Sequence, residues 1–535
     1  MNRALRPKFD LEGVCFLFMY GKVLSACVVG IEGVTVEVET DLSNGLPLFQ
    51  IVGLPDSAVR EATERVRAAL NNCGFVFPLE RITVNLAPAD VRKEGSSFDL
   101  AIAAGILSAS GQWKRRDLDP GSTLFIGELS LDGTLRKVPG VLPMVHHAAM
   151  HKIPRVAVPV GNLREARLVG GIEVVPIRHL RELAAEKPPE PITDHEIAVN
   201  HSGNPDSPTP HEPVEDYSEV CGQHQAKRAL VIAAAGMHNL LFIGPPGTGK
   251  TMLVRRMPTI LPELTEDEAL EVMKIYSVSG KLLNEANLIR KRPFRAPHHT
   301  ISAAGLIGGG SFPKPGEVSL AHRGVLFLDE LPEFSRHALE VLRQPLEDRS
   351  VTIGRVRAAV TYPAQFILAC SMNPCPCGYY GDDSGSIPCT CTPLRISHYR
   401  AKISGPLLDR IDLHVEVPRT RYADLAQGHD PMSSAVMREG VLKARQMQAE
   451  RYKGLSIHYN SELSGSLLRR YCKLTPDADK LLQATFEALG LSVRAHDRIL
   501  KLARTIADLE GADIIEPPHV AEAIQYRTLD KQARA

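Results

Sequence analysis

The chain lacks the features of a membrane protein and of a disulfide-stabilised secreted protein. No uninterrupted apolar run among its 535 residues is long enough to span a bilayer. Ten cysteines in a chain of this size do not suggest a disulfide scaffold. Net charge is also absent, because 62 Lys and Arg balance 62 Asp and Glu. Nucleic-acid binding would therefore need a local basic surface. We predict a cytoplasmic protein.

The first residues show a partial match to a secretion signal. Basic RALRPK precedes apolar VCFLFMY, and Leu24–Cys27 is similar to a bacterial lipoprotein cleavage box. Gly21 and Lys22 interrupt the apolar run, and Cys27 lies in a pattern that continues as a strand. We therefore interpret residues 1–18 as a start-site extension before Met19.

The remaining chain divides by composition, and its length allows several domains. Residues 19–185 mix strand and helix patterns: VTVEVET alternates as a half-buried strand, and apolar residues from Ser57 to Asn72 recur at helical spacing. Residues 186–215 are rich in proline and polar residues, which is typical of a linker. A second α/β region follows over 216–430, and 431–535 is mostly helical.

A phosphate-binding loop follows the first strand pattern of the second region. GPPGTGKT fits G-x-x-x-x-G-K-[ST], stands after apolar LLFI and precedes a helical pattern. The glycines let backbone N–H groups surround the phosphates, the lysine reaches the β- and γ-phosphates, and the threonine hydroxyl ligates Mg²⁺. We therefore predict an ATP–Mg²⁺ site at Gly244, Pro245, Pro246, Gly247, Thr248, Gly249, Lys250 and Thr251.

A second motif supplies the acids that such a site requires. Val325–Leu328 predicts a buried strand, and Asp329 and Glu330 follow it directly. We expect Asp329 to hold Mg²⁺ through water and Glu330 to polarise the attacking water. The two motifs together predict ATP hydrolysis.

Three further segments resemble the AAA+ superfamily of ring ATPases. FILACSMNP ends a strand at Asn373, where that superfamily places its polar first sensor. GPLLDRIDL puts Arg410 at the arginine-finger position, and SVRAHDRIL puts Arg494 at that of the second sensor. A finger acts on the neighbouring subunit's nucleotide and contributes about 10³–10⁵ to the rate. The resemblance therefore implies a homo-oligomeric ring, which we expect to be a hexamer.

Longer motifs indicate which branch of the superfamily the chain resembles. Residues 292–300 (RPFRAPHHT), 305–334 and 404–418 resemble the magnesium-chelatase-like branch of AAA+. The N-terminal GIEG, GLPDSAVRE, RVRAAL and NLAPAD are similar to the bacterial ComM/YifB family, so the resemblance covers nearly the whole chain from Met19. It implies an α/β fold in three parts: a Lon-protease-like N-terminal α/β domain, an AAA+ P-loop α/β core, and a C-terminal helical lid.

The Lon-like region raises the question of proteolysis. Lon-type sites read K-D-G-P-S-A-G, and KEGSSFD places Ser97 at the nucleophile. A serine is a weak nucleophile without a base. The position of Lon's lysine falls on Leu142, and the nearest lysine is Lys137. We therefore expect no peptidase activity.

The same segment departs from the protease pattern next to the serine. Phe98 replaces a small residue and Asp99 replaces a glycine. Ser96 and Ser97 stand before an apolar run, which is typical of a helix N-cap. We interpret the domain as a platform for ring assembly or for interactions.

A cysteine cluster follows the first sensor. The array C-x-C, eleven residues, C-x-C offers four thiolates, which suit a tetrahedral structural Zn²⁺. The alternative is a glycine-rich surface loop with four reduced cysteines. The predicted ligands are Cys375, Cys377, Cys389 and Cys391.

Two segments are candidates for contact with a substrate in a central pore. One is the glycine-rich insertion Gly305–Gly310, and the other is 351–364, which predicts a hairpin. Arg355 and Arg357 are two residues apart and share a face of an extended strand, where they could contact DNA phosphates. The alternative is an ordinary solvated hairpin. Ring helicases of the MCM type carry a hairpin in this place.

The family resemblance implies a DNA branch-migration helicase that acts in recombination of transforming DNA. We therefore predict an ATP-driven ring that moves along DNA. One alternative is a chelatase-type motor that remodels a protein partner, although such a subunit is not expected to carry the Lon-like domain. Another is a nucleotide-gated adaptor, which the complete catalytic set argues against.

Overall fold

The computed structural model describes residues 19–186, 215–282, 288–310, 313–355, 358–381, 387–420 and 432–527. The predicted start-site extension and nearly all of the predicted linker lie outside these ranges. The described chain forms two compact units. The first contains residues up to 186 together with the described part of Met273–Leu288, and the second contains the rest. Within the described ranges, no helix has the length and apolar character needed to cross a bilayer.

The first unit is built on a mixed seven-stranded sheet. Strand β1 pairs antiparallel with β2, and β2 pairs antiparallel with β4, whereas the other neighbours in the sheet are parallel. The order across the sheet is β3-β4-β2-β1-β5-β8-β9, and β6 and β7 form a separate short pair. The strands are β1 (Met19–Val29), β2 (Glu32–Ser43), β3 (Leu48–Val52), β4 (Arg81–Ala87), β5 (Thr123–Phe125), β6 (Glu128–Leu129), β7 (Leu135–Arg136), β8 (Arg155–Pro159) and β9 (Glu173–Ile177).

Four helices accompany this sheet: α1 (Ser57–Asn72), α2 (Asp99–Ala109), α3 (Val141–Met150) and α4 (Leu163–Ala166). The predicted helix from Ser57 to Asn72 is confirmed as α1, and Asp56 caps it by accepting a hydrogen bond from the Val59 amide at 2.7 Å. Helix α2 is almost entirely buried because its residues are apolar on every side. The predicted serine cap of α2 is wrong: Phe98 occupies the cap position, and no side chain there caps the helix.

The second unit is built on a five-stranded parallel sheet. Its order is β11-β14-β17-β10-β18, so β10 lies between β17 and β18. The apolar runs predicted as buried strands are confirmed as β10 and β14, whose residues are all buried. The sheet strands are β10 (Leu240–Ile243), β11 (Phe294–Arg295), β14 (Val325–Leu328), β17 (Ile367–Met372) and β18 (Leu413–Glu416).

Two antiparallel hairpins accompany this sheet. The first pairs β12 (Gly308–Gly309) with β13 (Lys314–Pro315). The second pairs β15 (Ser350–Arg355) with β16 (Ala358–Pro363), which confirms the hairpin predicted over 351–364.

The helices of the nucleotide-binding part are mostly short. They are α5 (His224–Gly236), α6 (Lys250–Arg255), α7 (Met257–Ile260), α8 (Glu266–Ser279), α9 (Ala303–Ile307), α10 (Glu317–Leu320), α11 (Arg336–Glu340), α12 (Arg343–Asp348), α13 (Pro393–Arg400) and α14 (Gly405–Leu408). Helix α8 begins in the second unit, and its residues from Met273 onward belong to the first.

The described chain from 432 to 527 is mostly helical, as predicted. Its helices are α15 (Ser434–Arg451), α16 (Gly465–Tyr471), α17 (Pro476–Leu489), α18 (Val493–Leu509) and α19 (Pro517–Gln525). Their apolar faces share one buried core with the parallel sheet, so that Val441 and Ile499 belong to the same cluster as Phe242 and Phe327.

The two sheets and their helices confirm the predicted α/β class. The Lon-like and lid assignments stay predictions.

Candidate nucleotide and metal sites

The phosphate-binding loop lies at the carboxyl end of β10. Gly247 and Gly249 have φ values of 79° and 82°, a left-handed conformation that favours glycine. Gly244 is required for a different reason, because a Cβ atom there would lie 2.2 Å from the Val417 carbonyl oxygen. The glycines therefore allow the loop to turn closely into the start of α6, where backbone N–H groups can bind an anion.

The Lys250 ammonium lies inside this loop. Its Nζ donates hydrogen bonds to the carbonyl oxygens of Gly244 at 2.7 Å and Pro245 at 2.8 Å, and it lies 3.3 Å from Oδ1 of Asn373. Burial lowers the pKa of Lys250 to about 8, although Asp329 and Glu330 act in the opposite direction. The structure thus brings together the predicted lysine and the predicted first sensor.

The two predicted magnesium ligands face each other. The Thr251 hydroxyl donates a hydrogen bond to Oδ2 of Asp329 at 2.8 Å. A hydroxyl and a carboxylate are hard oxygen ligands of the kind that Mg²⁺ prefers, alongside water and substrate phosphates. This pair beside the Lys250 loop therefore fits a magnesium–triphosphate complex.

Sequence reasoning missed Ser371. Its hydroxyl donates a hydrogen bond to the other oxygen of Asp329 and orients that carboxylate. Ser371 stands two residues before Asn373, so alternation along β17 gives the two side chains the same face. That spacing is the signal from which its position could have been predicted.

Glu330 has an uncommon backbone conformation. Its φ of 54° is left-handed, and such outliers cluster at functional sites. Its amide donates to Asp329 Oδ1 at 3.1 Å and Ser371 Oγ at 3.4 Å. The side chain itself remains 60% exposed, so water can reach it.

The two predicted arginines do not join this cluster. Arg410 pairs with Glu347 and donates to the Pro406 carbonyl oxygen at 2.6 Å, and its side chain is only 9% exposed. Arg494 is exposed in the first turn of α18. A finger that acts on another subunit's nucleotide does not need to reach its own.

The four clustered cysteines converge. Their sulfur atoms all lie within 4.8 Å of one another, and the Cys375–Cys377, Cys377–Cys389 and Cys375–Cys389 distances are 3.3, 3.5 and 3.8 Å. A tetrahedral Zn²⁺ with bonds of about 2.3 Å places its sulfurs about 3.8 Å apart. The donor set, completed by Cys391, therefore fits zinc.

The cysteine loop also touches the phosphate-binding loop. A Cβ atom at Gly378, next to Cys377, would lie 2.7 Å from Cδ of Pro246. Although desolvation acts in the opposite direction, hydrogen bonds from the backbone at Tyr379 and Thr390 lower the pKa of the Cys377 thiol to about 6. This favours the thiolate at Cys377, whereas hydrogen bonds from the neighbouring cysteines raise the pKa of the Cys389 and Cys391 thiols in the absence of a metal.

The Lon-like segment contains no Ser–Lys pair among its described contacts. Ser96, rather than Ser97, hydrogen-bonds Glu128. Leu142, at the position of Lon's lysine, is fully buried in α3. Arg65 forms an ion pair with the buried Asp99 at 2.8 Å. The absence of peptidase activity stays a prediction.

The predicted DNA contacts lie at one hairpin. Arg355 is the last residue of β15 and pairs in register with Ala358. Arg357 lies outside the described residues. The two-residue spacing that led us to place both arginines on one face stays a prediction.

Three stretches of the chain match models of known protein families. Residues 216–425 match the model described as magnesium chelatase, subunit ChlI. Residues 38–162 match the model for subunit ChlI of Mg-chelatase, and residues 431–527 match the model for the C-terminal part of that subunit.

Individual proteins from three organisms are also similar to this chain. The competence protein ComM of Haemophilus influenzae is 45% identical over 95% of this chain and 97% of its own length. The uncharacterized protein YifB of Escherichia coli is 41% identical over 95% of this chain and 97% of its own. The magnesium-chelatase 38 kDa subunit of Rhodobacter capsulatus is 28% identical over 30% of this chain and 51% of its own.

Proposed function

Because the chain belongs to the ComM/YifB family, with its magnesium-chelatase domains, we propose that it is an ATP-driven ring motor that moves along DNA and drives branch migration. One observation carries the ATPase part of this proposal. Lys250, Asp329 and Asn373 follow three adjacent parallel strands and meet at one sheet edge. Ligands of open α/β sheets bind at such carboxyl ends.

The residues of this edge divide the chemistry among them. ATP would supply the phosphoryl group, and a bound Mg²⁺ would neutralise negative charge on its phosphates. Lys250 adds a positive charge inside the loop, Thr251 and Asp329 would hold the ion, and Ser371 orients the Asp329 carboxylate. Glu330 orients and polarises the attacking water, and Asn373 positions that water.

We propose that Arg410 acts between subunits of a ring. Its guanidinium lies apart from its own chain's nucleotide site, in contact with Glu347 and Pro406. We propose that it reaches the γ-phosphate of a neighbouring copy and that Arg494 acts as the second sensor. A closed ring of identical subunits is the arrangement in which every such contact is satisfied, and we propose a hexamer.

We propose that DNA is the substrate along which the motor moves. The two hairpins belong to the same unit as the nucleotide site, and one has Arg355 at the end of its first strand. Arginine contacts to phosphates need no base recognition, which suits a motor that must move over any sequence. The Haemophilus relative is a competence protein, which supports a role in the handling of DNA.

The test of this proposal is ATP-dependent branch migration on a labelled four-way DNA junction. Activity in the wild type, with none in a variant that cannot hydrolyse ATP, would support a DNA motor. ATP turnover without junction movement would contradict the proposal and favour the rival, a chelatase-type motor that remodels a protein partner. The 28% identity to a magnesium-chelatase subunit is the observation that favours this alternative function.

We propose that Cys375, Cys377, Cys389 and Cys391 hold one structural Zn²⁺ that braces the phosphate-binding loop. Protein purified without chelators should contain about one zinc per chain, because four thiolates complete the coordination shell. Cys377→Ser should lose most of this zinc and bind ATP more weakly, since Gly378 packs against Pro246. Elemental analysis and nucleotide titration measure both effects.

Cys221→Ser is the matched control, because Cys221 lies outside the four-cysteine cluster. It should keep the wild-type zinc content. Wild-type protein that is free of metal under reducing conditions would contradict the zinc site.

Ser97→Ala is expected to leave ATP hydrolysis and branch migration unchanged. We predict Leu142 at the position of the lysine in a Lon-type site, so we expect Ser97 to lack the base that would activate it. We propose that the Lon-like unit instead serves ring assembly or interactions. A casein-type peptidase signal in the wild type that disappears with Ser97→Ala would revive the protease hypothesis.

A further inference from the structure

A cavity of about 420 Å³ lies beside Arg410, within the second unit. Three parts of the chain line it: helix α12, the base of the second hairpin, and the helical region after 432. Its volume falls in the range of about 300–1,000 Å³ that is typical of small-molecule sites. None of the described residues that line it belongs to the phosphate-binding loop, so the cavity is separate from that loop.

The cavity gathers more positive than negative side chains. Each of its three carboxylates lies within ion-pair distance of one of its arginines. These pairs are Glu462–Arg349, Glu347–Arg410 and Asp412–Arg498. The fourth cation is Lys501, whose Nζ donates a hydrogen bond to the Ser461 carbonyl oxygen at 3.0 Å. No carboxylate of the described residues lies within 4.0 Å of this Nζ, so one positive charge has no counter-charge at contact distance.

Two of the arginines also have a donor without an acceptor. Nε of Arg410 and Nη1 of Arg498 are buried, and neither atom has a hydrogen-bond partner among the described residues. The whole Arg410 side chain is only 9% exposed. A buried donor without an acceptor is destabilising, more so on a charged group, and native proteins rarely keep one without a reason. An anion in the cavity would supply the missing acceptors.

Helix α18 brings two of these cations to one face. Arg498 and Lys501 are three residues apart, a spacing at which side chains are neighbours on a helix surface and like charges repel. Burial lowers the pKa of Lys501, and the charges of Arg498 and Arg349 act in the same direction, although Asp412 opposes them. An anion bound between the two cations would offset both the repulsion and the burial.

The donors in the cavity fit a phosphate group better than another carboxylate. Guanidinium N–H groups bind phosphate oxygens through directed hydrogen bonds, and a lysine ammonium adds a compact charge with three donors, of which Ser461 uses one. A carboxylate brings one negative charge and two oxygens, and the cavity already holds three carboxylates. A phosphate brings more charge and more acceptors for Arg410, Arg498 and Lys501 together.

We propose that this cavity binds a phosphate-bearing ligand through Arg410, Arg498 and Lys501, at a site separate from the phosphate-binding loop. The phosphate has one of two sources, a free phosphate compound or the nucleotide held by a neighbouring copy. The first source needs only the single chain. The second source rests on the proposed function, because it requires the ring, and it makes Arg498 and Lys501 partners of the proposed arginine finger.

The first experiment titrates inorganic pyrophosphate into the full-length Lys250→Ala protein, followed by calorimetry. This background lacks the lysine of the phosphate-binding loop. If the ligand is a free phosphate compound, binding should saturate near one pyrophosphate per chain. Adding Arg498→Gln or Lys501→Met should weaken it about tenfold or more, the effect of losing one hydrogen bond to a charged group. Lys480→Met is the matched control, because Lys480 is an exposed lysine of α17, and it should not change the affinity.

The second experiment measures ATP turnover of Arg498→Gln and Lys501→Met in chains that keep Lys250. If the phosphate comes from a neighbouring nucleotide, turnover should fall about tenfold or more while the dissociation constant of ATP stays unchanged. Mixing either variant with Lys250→Ala subunits should restore part of the turnover, and Lys480→Met should behave as the wild type does. Lys501→Met keeps the apolar stem of the lysine, so its result stands even if Arg498→Gln does not fold.

A change in pyrophosphate affinity alone would identify a free phosphate compound, and a rescued loss of turnover alone would identify the neighbouring nucleotide. Equal pyrophosphate binding in all variants would overturn the site if turnover is also unchanged, or if its loss is not restored by mixing. Failure of junction movement in the wild type would contradict the proposed function instead. The pyrophosphate titration needs neither DNA nor a ring, so the two failures are distinguishable.

Discussion

Replacing Lys250 by Ala should abolish ATP hydrolysis, and branch migration should disappear with it. The Lys250 ammonium lies against two loop carbonyls and 3.3 Å from Asn373, at the place where we propose that the terminal phosphates bind. Its removal leaves the transferred phosphoryl group without a positive charge inside the loop. We expect turnover to fall by about 10²-fold or more, the effect of deleting one preorganised charge at a reacting group. Phosphate release and junction movement would be measured on the same preparation.

The control for this variant is Lys402→Ala. Lys402 forms an exposed ion pair with Glu333 at 3.4 Å, in the same unit but outside the phosphate-binding loop. Such a pair contributes at most about 1 kcal/mol, so activity should persist. Wild-type turnover in Lys250→Ala would show that the nucleotide is hydrolysed elsewhere.

Arg410→Ala should be as severe, for a different reason. We expect a loss of about 10³-fold or more in turnover, which is the contribution of an arginine finger. ATP binding should be retained, because Arg410 contacts Glu347 and Pro406 rather than its own phosphate-binding loop. Nucleotide titration and steady-state turnover separate these two effects.

Mixing the two inactive variants tests whether the arginine acts between subunits. In an equimolar mixed ring, an Arg410→Ala subunit offers an intact nucleotide site, and a Lys250→Ala neighbour offers an intact finger. Random assembly makes about one quarter of the interfaces competent, so turnover should recover to roughly that fraction. A mixture as inactive as its components would show that Arg410 does not act on a neighbouring nucleotide.

The convergence of the residues assigned to the proposed nucleotide site was largely predictable because these residues follow strands directly. Val325–Leu328 and Leu240–Ile243 are apolar runs whose strand assignment needs no tertiary information. Once they are parallel neighbours of β17, Asp329, Asn373 and the loop at Gly244 must share an edge. The spacing of the four cysteines was informative in the same way, because a chain that folds back can bring two C-x-C pairs together.

Contacts between distant segments were not predictable. Ser371 was missed although it lies in a predicted strand, because its partner Asp329 is 42 residues away. His299 Nδ1 lies 3.8 Å from Oε2 of Glu330, and this approach depends on the turn that the hydrogen bond from the Ile301 amide to the His298 carbonyl oxygen closes. The expected serine cap of α2 failed because the helix begins later than the apolar pattern suggests, with Phe98 packed into the core.

The sequence by itself determined the family, the α/β class, the strand that precedes each catalytic group and the number of thiolates in the cysteine cluster, since these follow from local order and periodicity. Only the tertiary structure decided that Arg410 faces Glu347 instead of its own nucleotide site, that Gly378 packs on Pro246, and that the two hairpins are joined at Tyr362. The reason is that local pattern specifies which way a side chain leaves its strand or helix, whereas the group it meets depends on how distant segments pack.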